Sequence, residues 1–235
     1  MPLMPRPTVL APAEAYALWA ASYPAHAHNP VMQAEERAML GLMPATLHGQ
    51  AILDAGCGSG RYMLHALQRG ASRVTGVDLS PEMLQHARGE LDAHRYDAKV
   101  KLRQGSLHAL PVPDAWADLT VCGLVIGHLE HLEQALAELH RVTRPGGTVL
   151  CSDVHPIGHA LGWLRDFKSD GKRYAVRHTA HLYSDWHAAC ADLGLQIERV
   201  LEPMLDPGDI PAKAHFDRTA LVVPVALVFQ LRRLH

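Results

Sequence analysis

A cluster of three glycines is the feature of this sequence best suited to binding a ligand. Gly56, Gly58 and Gly60 alternate with other residues just after a short apolar run that ends at Asp54. Glycine permits tight turns and close approach of the backbone to a ligand, and the helix predicted to follow presents unpaired N–H groups. A plain strand-to-helix turn requires only one glycine, so the pattern favours a loop that holds the carboxylate or sugar edge of a nucleotide-like ligand.

A second acid strengthens this interpretation. Asp78 ends the next apolar run, 22 residues after Gly56, and a βαβ unit would bring its carboxylate beside the loop to accept hydrogen bonds from ribose hydroxyls. An acid at a strand end also caps helices, but Ser80, followed by Pro81, is better placed for that role. We therefore predict that Asp78 binds a ribose.

The loop also permits a dinucleotide, and this alternative predicts a nicotinamide-dependent oxidoreductase. The dinucleotide pattern is GxGxxG, whose last glycine allows close packing of the helix. Arg61 stands at that position here, and Arg61 and Tyr62 would crowd a pyrophosphate. The sequence therefore disfavours the oxidoreductase.

The elements that position these residues form a βα pattern. From residue 50 onwards short apolar runs alternate with helical segments, which is typical of a mainly parallel, doubly wound sheet. Predicted strands cover residues 51–55, 73–77, 100–103, 118–122, 148–152, 195–201 and 224–231, and predicted helices cover 61–68, 80–93, 132–142 and 184–193.

The remaining segments frame that core within one predicted domain, 1–235. Residues 1–49 are predicted to form a helical cover without a strand, with Asn29 and Pro30 opening a helix. Residues 50–153 are the predicted ligand-binding core, 154–182 an irregular lid insertion after the fifth strand, and 183–235 a C-terminal helix and strands. Charges in the insertion, including Arg165 and Arg173, are expected on its solvated face.

Composition narrows the class of partner. The 235 residues carry a net charge of −2, which provides no basic field for nucleic acid or anionic lipid. The four cysteines contain no CxxC pair, so neither a zinc site nor a disulfide framework is expected. No apolar run is long enough to span a bilayer. We expect a cytoplasmic protein, monomeric or homodimeric, that acts on a small molecule and binds neither nucleic acid nor membrane.

Five motifs in order resemble those of class I S-adenosylmethionine-dependent methyltransferases, in particular the group that includes the ubiquinone/menaquinone and malonyl-carrier-protein methyltransferases. Residues 54–60 resemble the first motif of that family and residues 76–84 the second. Residues 105–107, with 110–111 and the strand from 118, resemble the third and fourth. Residues 141–147 resemble the turn before the fifth strand. The resemblance implies a Rossmann-like seven-stranded sheet of order 3-2-1-4-5-7-6 with its last strand antiparallel.

The resemblance also implies that the cofactor is S-adenosyl-L-methionine, with S-adenosyl-L-homocysteine as the product. Backbone at Gly56 and Gly58 would face its methionine part, and Asp78 both ribose hydroxyls. Adenine would lie near Leu79, Met83, Ser106 and Leu107, and the sulfonium near Cys122, expected to be a buried neutral thiol, and Gly123. The complete set of predicted cofactor-binding residues is Asp54, Gly56, Cys57, Gly58, Gly60, Asp78, Leu79, Met83, Ser106, Leu107, Cys122, Gly123, Tyr16 and Tyr23.

The sequence identifies catalytic residues less firmly than cofactor-binding residues. The cofactor carries the methyl group, and a base is needed only if the acceptor must lose a proton. His155, after the fifth strand, and His128 are the predicted catalytic candidates. Residues predicted to face the substrate are His28, His159, His181 and Tyr183. His128 and His131 share a helical spacing, but a third ligand is missing, so no metal is expected.

The sequence thus predicts a methyltransferase that acts on a small-molecule acceptor, at oxygen or nitrogen rather than carbon. A non-catalytic module that binds S-adenosylmethionine or another metabolite is the main alternative. Since a decayed site should lose either the glycines or Asp78, the intact pair disfavours that alternative.

Overall fold

A seven-stranded sheet forms the centre of the computed structural model, which describes residues 6–96, 99–210 and 218–235. Strands of this sheet and of a second, smaller sheet are numbered together along the chain. They are β1 (Thr8–Leu10), β2 (Ala51–Ala55), β3 (Arg73–Asp78), β4 (Val100–Gln104), β5 (Ala117–Gly123), β6 (Thr143–Val154), β7 (Asp166–Ser169), β8 (Lys172–Val176), β9 (Leu195–Leu201) and β10 (Ala226–Arg233). The central sheet has the order β4-β3-β2-β5-β6-β10-β9. Its first five strands pair in parallel, and β10 runs antiparallel to β6 and β9. The predicted order and the antiparallel last strand are confirmed.

Helices cover both faces of this sheet. They are α1 (Pro12–Trp19), α2 (Pro30–Leu42), α3 (Arg61–Gln68), α4 (Pro81–Ala93), α5 (Leu132–Val142), α6 (Pro156–Ala160) and α7 (Tyr183–Leu193). Both predicted N-caps are confirmed, since the side chain of Asn29 accepts from the N–H of Met32 and that of Ser80 from the N–H of Met83. Among the described residues, no helix combines the length and apolar character needed to cross a membrane.

Burial on both faces explains the apolar runs of the central strands. All five residues of β2 are buried, as expected for a parallel strand covered by helices on each side. One apolar cluster joins α3 and the C-terminal part of α2 to the sheet, and a second joins α5 and α7 to the opposite face. The carboxyl ends of β2, β3 and β5 therefore meet at one edge, where ligands bind in such sheets.

The expectation of an N-terminal cover without a strand is wrong. The strand β1 pairs in parallel with β8, and β8 pairs antiparallel with β7, so these three form a second small sheet. The insertion is likewise more regular than expected, because it contains α6 and the β7–β8 hairpin. A three-residue strand such as β1 is too short to show alternation, and its partner lies about 165 residues away in sequence.

Two strands also differ from the predicted ranges by two residues or more. The fifth sheet strand begins at Thr143 rather than residue 148, because Thr143 already pairs with Ala117 across an irregularity in the register. The turn predicted to close α5 therefore lies inside β6. The final strand covers Ala226–Arg233 rather than 224–231. The predicted cover from residue 1 and the C-terminal segment include residues 1–5 and 211–217, which lie outside the described residues.

Candidate active site

The glycine loop adopts a conformation that requires glycine. Gly56, Gly58 and Gly60 have φ angles of 77°, 52° and 87°, in the left-handed region that other residues rarely adopt. A Cβ atom on Gly56 would lie 2.5 Å from Cγ2 of Val125. The N–H groups of Gly56 and Cys57 both donate to the carbonyl of Val77, at 2.7 and 2.9 Å. The loop is thus fixed to the end of β3 while it leads into α3.

Asp78 joins the loop to the next helix. Its Oδ2 accepts from the N–H of Gly58 at 2.8 Å and its Oδ1 from the N–H of Ser80 at 2.9 Å. Burial raises the pKa of this carboxyl, and the hydrogen bonds from Ser80 and Gly58 oppose that rise. A carboxylate oxygen has two lone pairs, so each oxygen retains one for a ligand hydroxyl.

Asp54 is the acid whose hydrogen bonding is incomplete. Its side chain is buried, and Oδ2 has no hydrogen-bond partner among the described residues. Burial raises the pKa of Asp54 to about 7, partly offset by the positive charge of Arg61. An unpartnered buried carboxylate oxygen is costly, and its position at the edge of the glycine loop suits a cationic ligand group.

A cavity of about 280 Å³ opens at the edge of the sheet where these acids meet. Thirteen residues that the sequence analysis assigned to the site line it: Tyr16, Tyr23, Asp54, Gly56, Cys57, Gly58, Asp78, Leu79, Met83, Ser106, Leu107, Gly123 and His128. Gly60 and Cys122 do not. Gly60 instead caps α3, and Cys122 is buried, with its pKa raised by a hydrogen bond with Cys151 and by burial.

The cavity fits the cofactor that the sequence motifs imply. Asp54 provides an unpartnered acceptor for an ammonium group, Asp78 has free lone pairs for vicinal hydroxyls, and Gly56 and Gly58 line the cavity, where their backbone can contact a ligand. The thioether of Met83 and the side chain of Leu107 add apolar surface suited to a purine ring. The hydroxyl of Ser106 accepts from the N–H of His108 at 3.1 Å.

One predicted catalytic residue, His128, lies in this cavity in an unusual state. Its Nδ1 lies 3.3 Å from the carbonyl of Arg177, which can only accept, so Nδ1 carries the proton and Nε2 accepts from the hydroxyl of Tyr16 at 2.9 Å. Burial lowers the pKa of His128 to about 3, assisted by the charge of Arg165, and burial raises the pKa of Tyr16. Such weak basicity makes His128 a poor proton acceptor at neutral pH.

The other predicted catalytic residue, His155, lies outside the cavities described here. Its Nδ1 accepts from the N–H of Ile157, where it caps α6, and its Nε2 lies 3.3 Å from Oε1 of Glu202. Both ring nitrogens are therefore engaged in structural contacts. Two predicted substrate residues also lie elsewhere: His181 donates to the carbonyl of Leu129 at 2.9 Å, and the exposed Tyr183 stacks on Phe229. Their roles stay predictions.

A second cavity, of about 820 Å³, lies beside the first. The two cavities share Met32, Leu124 and Arg165 in their walls. Of the predicted substrate residues, His28 and His159 line the second cavity. The second cavity is bounded mainly by α1, α2 and the insertion, which lie outside the five sequence motifs at residues 54–147.

Two residues in or beside the site were not predicted from the sequence. The first is Arg165, expected on the solvated face of the insertion but found in the wall of both cavities. The second is Glu35, a fully buried acid of α2 that accepts from Tyr62, Ser152 and Arg61. A buried glutamate gives no periodic signal, although Glu35 lies three and four residues from the buried Met32 and Met39 on one helical face.

Comparison with known proteins identifies the family. Residues 53–151 match the model of a methyltransferase domain. A malonyl-[acyl-carrier protein] O-methyltransferase of Serratia marcescens is 40% identical over 54% of this chain and 47% of its own length. A protein of the same name from Pseudescherichia vulneris is 34% identical over 74% of this chain and 67% of its own length.

The matched region spans about half the length of the Serratia relative. The structure also matches the crystal structure of an S-adenosylmethionine-dependent methyltransferase from Mesorhizobium loti. The match includes 85% of this chain and 98% of the other chain, with a TM-score of 0.68 and 27% sequence identity. Motifs, sheet order and relatives agree, and the chain belongs to the class I S-adenosylmethionine-dependent methyltransferases.

Proposed function

We propose that this protein transfers a methyl group from S-adenosylmethionine to an oxygen or nitrogen atom of a small-molecule acceptor. The observation that carries the proposal is the meeting of the glycine loop, Asp54 and Asp78 in one cavity. Oxygen is the favoured acceptor atom, since the relatives described above are named O-methyltransferases. The second cavity, which shares walls with the first, would hold the acceptor.

The residues of the first cavity would hold the cofactor in distinct ways. Asp54 would accept from the ammonium group of the methionine part, and Asp78 from the two ribose hydroxyls. Backbone at Gly56 and Gly58 would contact the methionine chain, while Met83 and Leu107 would pack on the adenine. When bound, S-adenosylmethionine supplies an electrophilic methyl group on a positively charged sulfur.

The protein would then act chiefly by alignment and exclusion of water, because methyl transfer needs the acceptor atom in line with the breaking bond. Tyr16 and Tyr23, which line the first cavity, form an aromatic wall with Trp19, which lines the second cavity, and the ring centroids are 4.9 to 6.1 Å apart. Aromatic faces stabilise a nearby cation. This wall would separate the reacting atoms from solvent.

Two alternatives make different predictions for binding. A nicotinamide-dependent oxidoreductase should be stabilised by NAD, but Arg61 occupies the position of the third dinucleotide glycine and its guanidinium is paired with Glu35 and Glu36 at 3.1 and 3.2 Å.

Thermal unfolding of the protein in the presence of S-adenosylmethionine, S-adenosylhomocysteine or NAD separates the methyltransferase from the two alternatives. We expect both adenosyl ligands to raise the unfolding temperature, and NAD to leave it unchanged. Stabilisation by NAD alone would reject the methyltransferase. Adenosyl binding without transfer to any acceptor would favour the non-catalytic module.

Replacing Asp78 tests the ribose contact. We expect Asp78→Ala to weaken binding of S-adenosylhomocysteine by about 1–3 kcal/mol, since buried hydroxyls would lose their acceptor. Titration calorimetry measures the change, and Glu82→Gln is the matched control, because Glu82 is exposed, lies outside the cavity and bonds to Ser80. Equal affinities for wild type and Asp78→Ala would remove the ribose role.

A further inference from the structure

We propose that Arg165 anchors the carboxylate of the acceptor, and that the substrate class is an apolar organic acid with one carboxylate, which leaves as its methyl ester. This inference rests on the proposed function and adds the chemical class of the acceptor. It is carried by the environment of one guanidinium group and by the shape and lining of the second cavity.

The guanidinium of Arg165 is incompletely paired. It donates to the carbonyl of Leu124 and to the hydroxyl of Tyr23, both at 3.1 Å. These bonds use two of the five N–H donors of arginine. No aspartate or glutamate oxygen lies within ion-pair distance of Arg165 among residues 6–96, 99–210 and 218–235. The Arg165 side chain is partly buried, and the carboxylate of Asp153 acts on it only from beyond ion-pair distance. Because removing a cation from water without pairing it is costly, an anionic ligand at this point would be favoured.

Neighbouring arginines show the contrast. Arg173, which also lines the second cavity, is paired with Asp166 at 2.6 Å, and Arg61 in the first cavity is paired with Glu35 and Glu36. Arg165 instead lies 5.6 and 5.9 Å from the ring centres of Tyr16 and Trp19. These aromatic contacts fix the direction of the guanidinium without neutralising it.

The location of Arg165 matches the point of transfer. It borders both cavities, and it is bonded to the carbonyl of Leu124, the residue that follows β5. Gly123, the last residue of that strand, lines the cofactor cavity. An anion held by Arg165 would therefore stand at the junction of the cofactor cavity and the second cavity.

The second cavity indicates the rest of the acceptor. Its volume of about 820 Å³ is within the range of small-molecule sites, and most of its wall is apolar, including Trp19, Val31, Val154, Trp163 and Leu205. Arg177 also lines this cavity and has no acid within ion-pair distance among the described residues, but it is exposed to solvent, whereas Arg165 is partly buried. A partly buried guanidinium without an acid partner, next to a long apolar wall, matches a ligand with one anionic end and an apolar body. A guanidinium binds carboxylates and phosphates alike with paired N–H···O bonds. We commit to a carboxylate because its single negative charge is neutralised by the one guanidinium of Arg165, whereas a phosphate monoester carries about −1.5 to −2 charges at pH 7.

Transfer of the methyl group to a carboxylate requires no general base. A lone pair on one carboxylate oxygen forms the new O–CH₃ bond while the S–CH₃ bond breaks, and the bonding pair of that bond stays on sulfur. The carboxylate and the sulfonium both become neutral, and no proton moves. The neutral ester loses its attraction to Arg165, which favours release of the product.

Ligand binding in the presence of S-adenosylhomocysteine tests the inference, with decanoate, decanamide and decyl phosphate as probes for titration calorimetry. We expect wild type to bind decanoate more tightly than the other two. Arg165→Gln should weaken decanoate binding by about 10- to 100-fold and leave decanamide unchanged. The control Arg173→Gln, at a paired arginine of the same cavity, should change decanoate binding by less than about threefold. Arg165→Lys, which keeps the charge, should give an intermediate affinity and guards against misfolding of the glutamine variant.

Three kinds of result would contradict the carboxylate anchor or the function on which it rests. Equal binding of decanoate and decanamide, tighter binding of decyl phosphate, or equal effects of Arg165→Gln and Arg173→Gln would overturn the carboxylate anchor. Failure of decanoate to bind a wild type that binds S-adenosylhomocysteine would overturn this inference and leave the methyltransferase proposal intact. Failure to bind S-adenosylhomocysteine would overturn both.

Discussion

The buried Glu35 is predicted to make a large contribution to the stability of the protein around the site. Its carboxylate is fully buried, and Oε1 accepts from the hydroxyls of Tyr62 at 2.7 Å and Ser152 at 2.5 Å. Its Oε2 is 3.1 Å from Arg61. The side chain thus connects α2 to the first residues of α3 and to β6. We expect Glu35→Gln to destabilise the protein while keeping the volume of the side chain.

The magnitude follows from these contacts. The amide retains an oxygen for Tyr62 and Ser152, but its NH₂ group would face the guanidinium of Arg61, so one charge-assisted bond is lost. Removing one partner of a buried ion pair costs about 3–5 kcal/mol. Because Glu36 still pairs with Arg61 at 3.2 Å, we expect a smaller loss of unfolding free energy, about 2–4 kcal/mol.

Urea unfolding followed by far-ultraviolet circular dichroism measures this change, with an unaltered m-value as evidence of a two-state comparison. Glu36→Gln is the matched control. Its side chain is 22% exposed. Burial opposes ionisation of Glu36, but hydrogen bonds and charges from His65 and Arg61 lower its pKa overall. We expect this variant to lose less than about 1 kcal/mol. A loss below about 1 kcal/mol in Glu35→Gln, or equal losses in both variants, would show that the buried Glu35–Arg61 pair does not stabilise this region.

Three further predictions concern the loop and the buried titratable groups. Gly56→Ala should abolish cofactor binding in calorimetry, because its Cβ would lie 2.5 Å from Val125, whereas Gly49→Ala, with a φ of 78° but open space, should cost only about 1–2 kcal/mol of stability. Asp54 has a pKa raised to about 7 by burial, so its ionisation opposes folding as pH rises from 3.8. Asp54→Asn should therefore gain stability relative to wild type between pH 5 and 8 in urea unfolding, while it weakens cofactor binding; a pH-independent difference would contradict this. Burial lowers the pKa of His128 to about 3, so its contribution to stability is complete above pH 6.5 and lost as pH falls towards 3. Nitrogen-15 spectra of the ring should show neutral His128 at pH 5, and a protonated ring at that pH would contradict its buried environment.

Features set by local sequence were predictable. The glycines of the loop, the N-caps Asn29 and Ser80, and the fully buried strand Ala51–Ala55 each follow from the conformational or burial demands of a few adjacent residues. Their order along the chain then specified the sheet. The cavity-lining positions of Asp54 and Asp78 follow from the same pattern, because parallel strands end at one edge.

Features set by contacts distant in sequence were not predictable. The position of Arg165 depends on the β7–β8 hairpin pairing with β1 and packing near α1, contacts that join residues more than 140 apart. His155 follows β6 as expected, but its ring turns towards Glu202 rather than into a cavity. The burial of Glu35 depends on partners contributed by α3 and β6. No local pattern encodes these three outcomes.

The proposed cofactor site is best tested by a crystal structure of the complex with S-adenosylhomocysteine. We expect the ribose hydroxyls within hydrogen-bond distance of Asp78, the ammonium group beside Asp54, and the methionine chain along Gly56 and Gly58. We also expect the sulfur to face the junction at Arg165. Ligand density away from the glycine loop, or a ribose that makes no contact with Asp78, would contradict the proposed cofactor site.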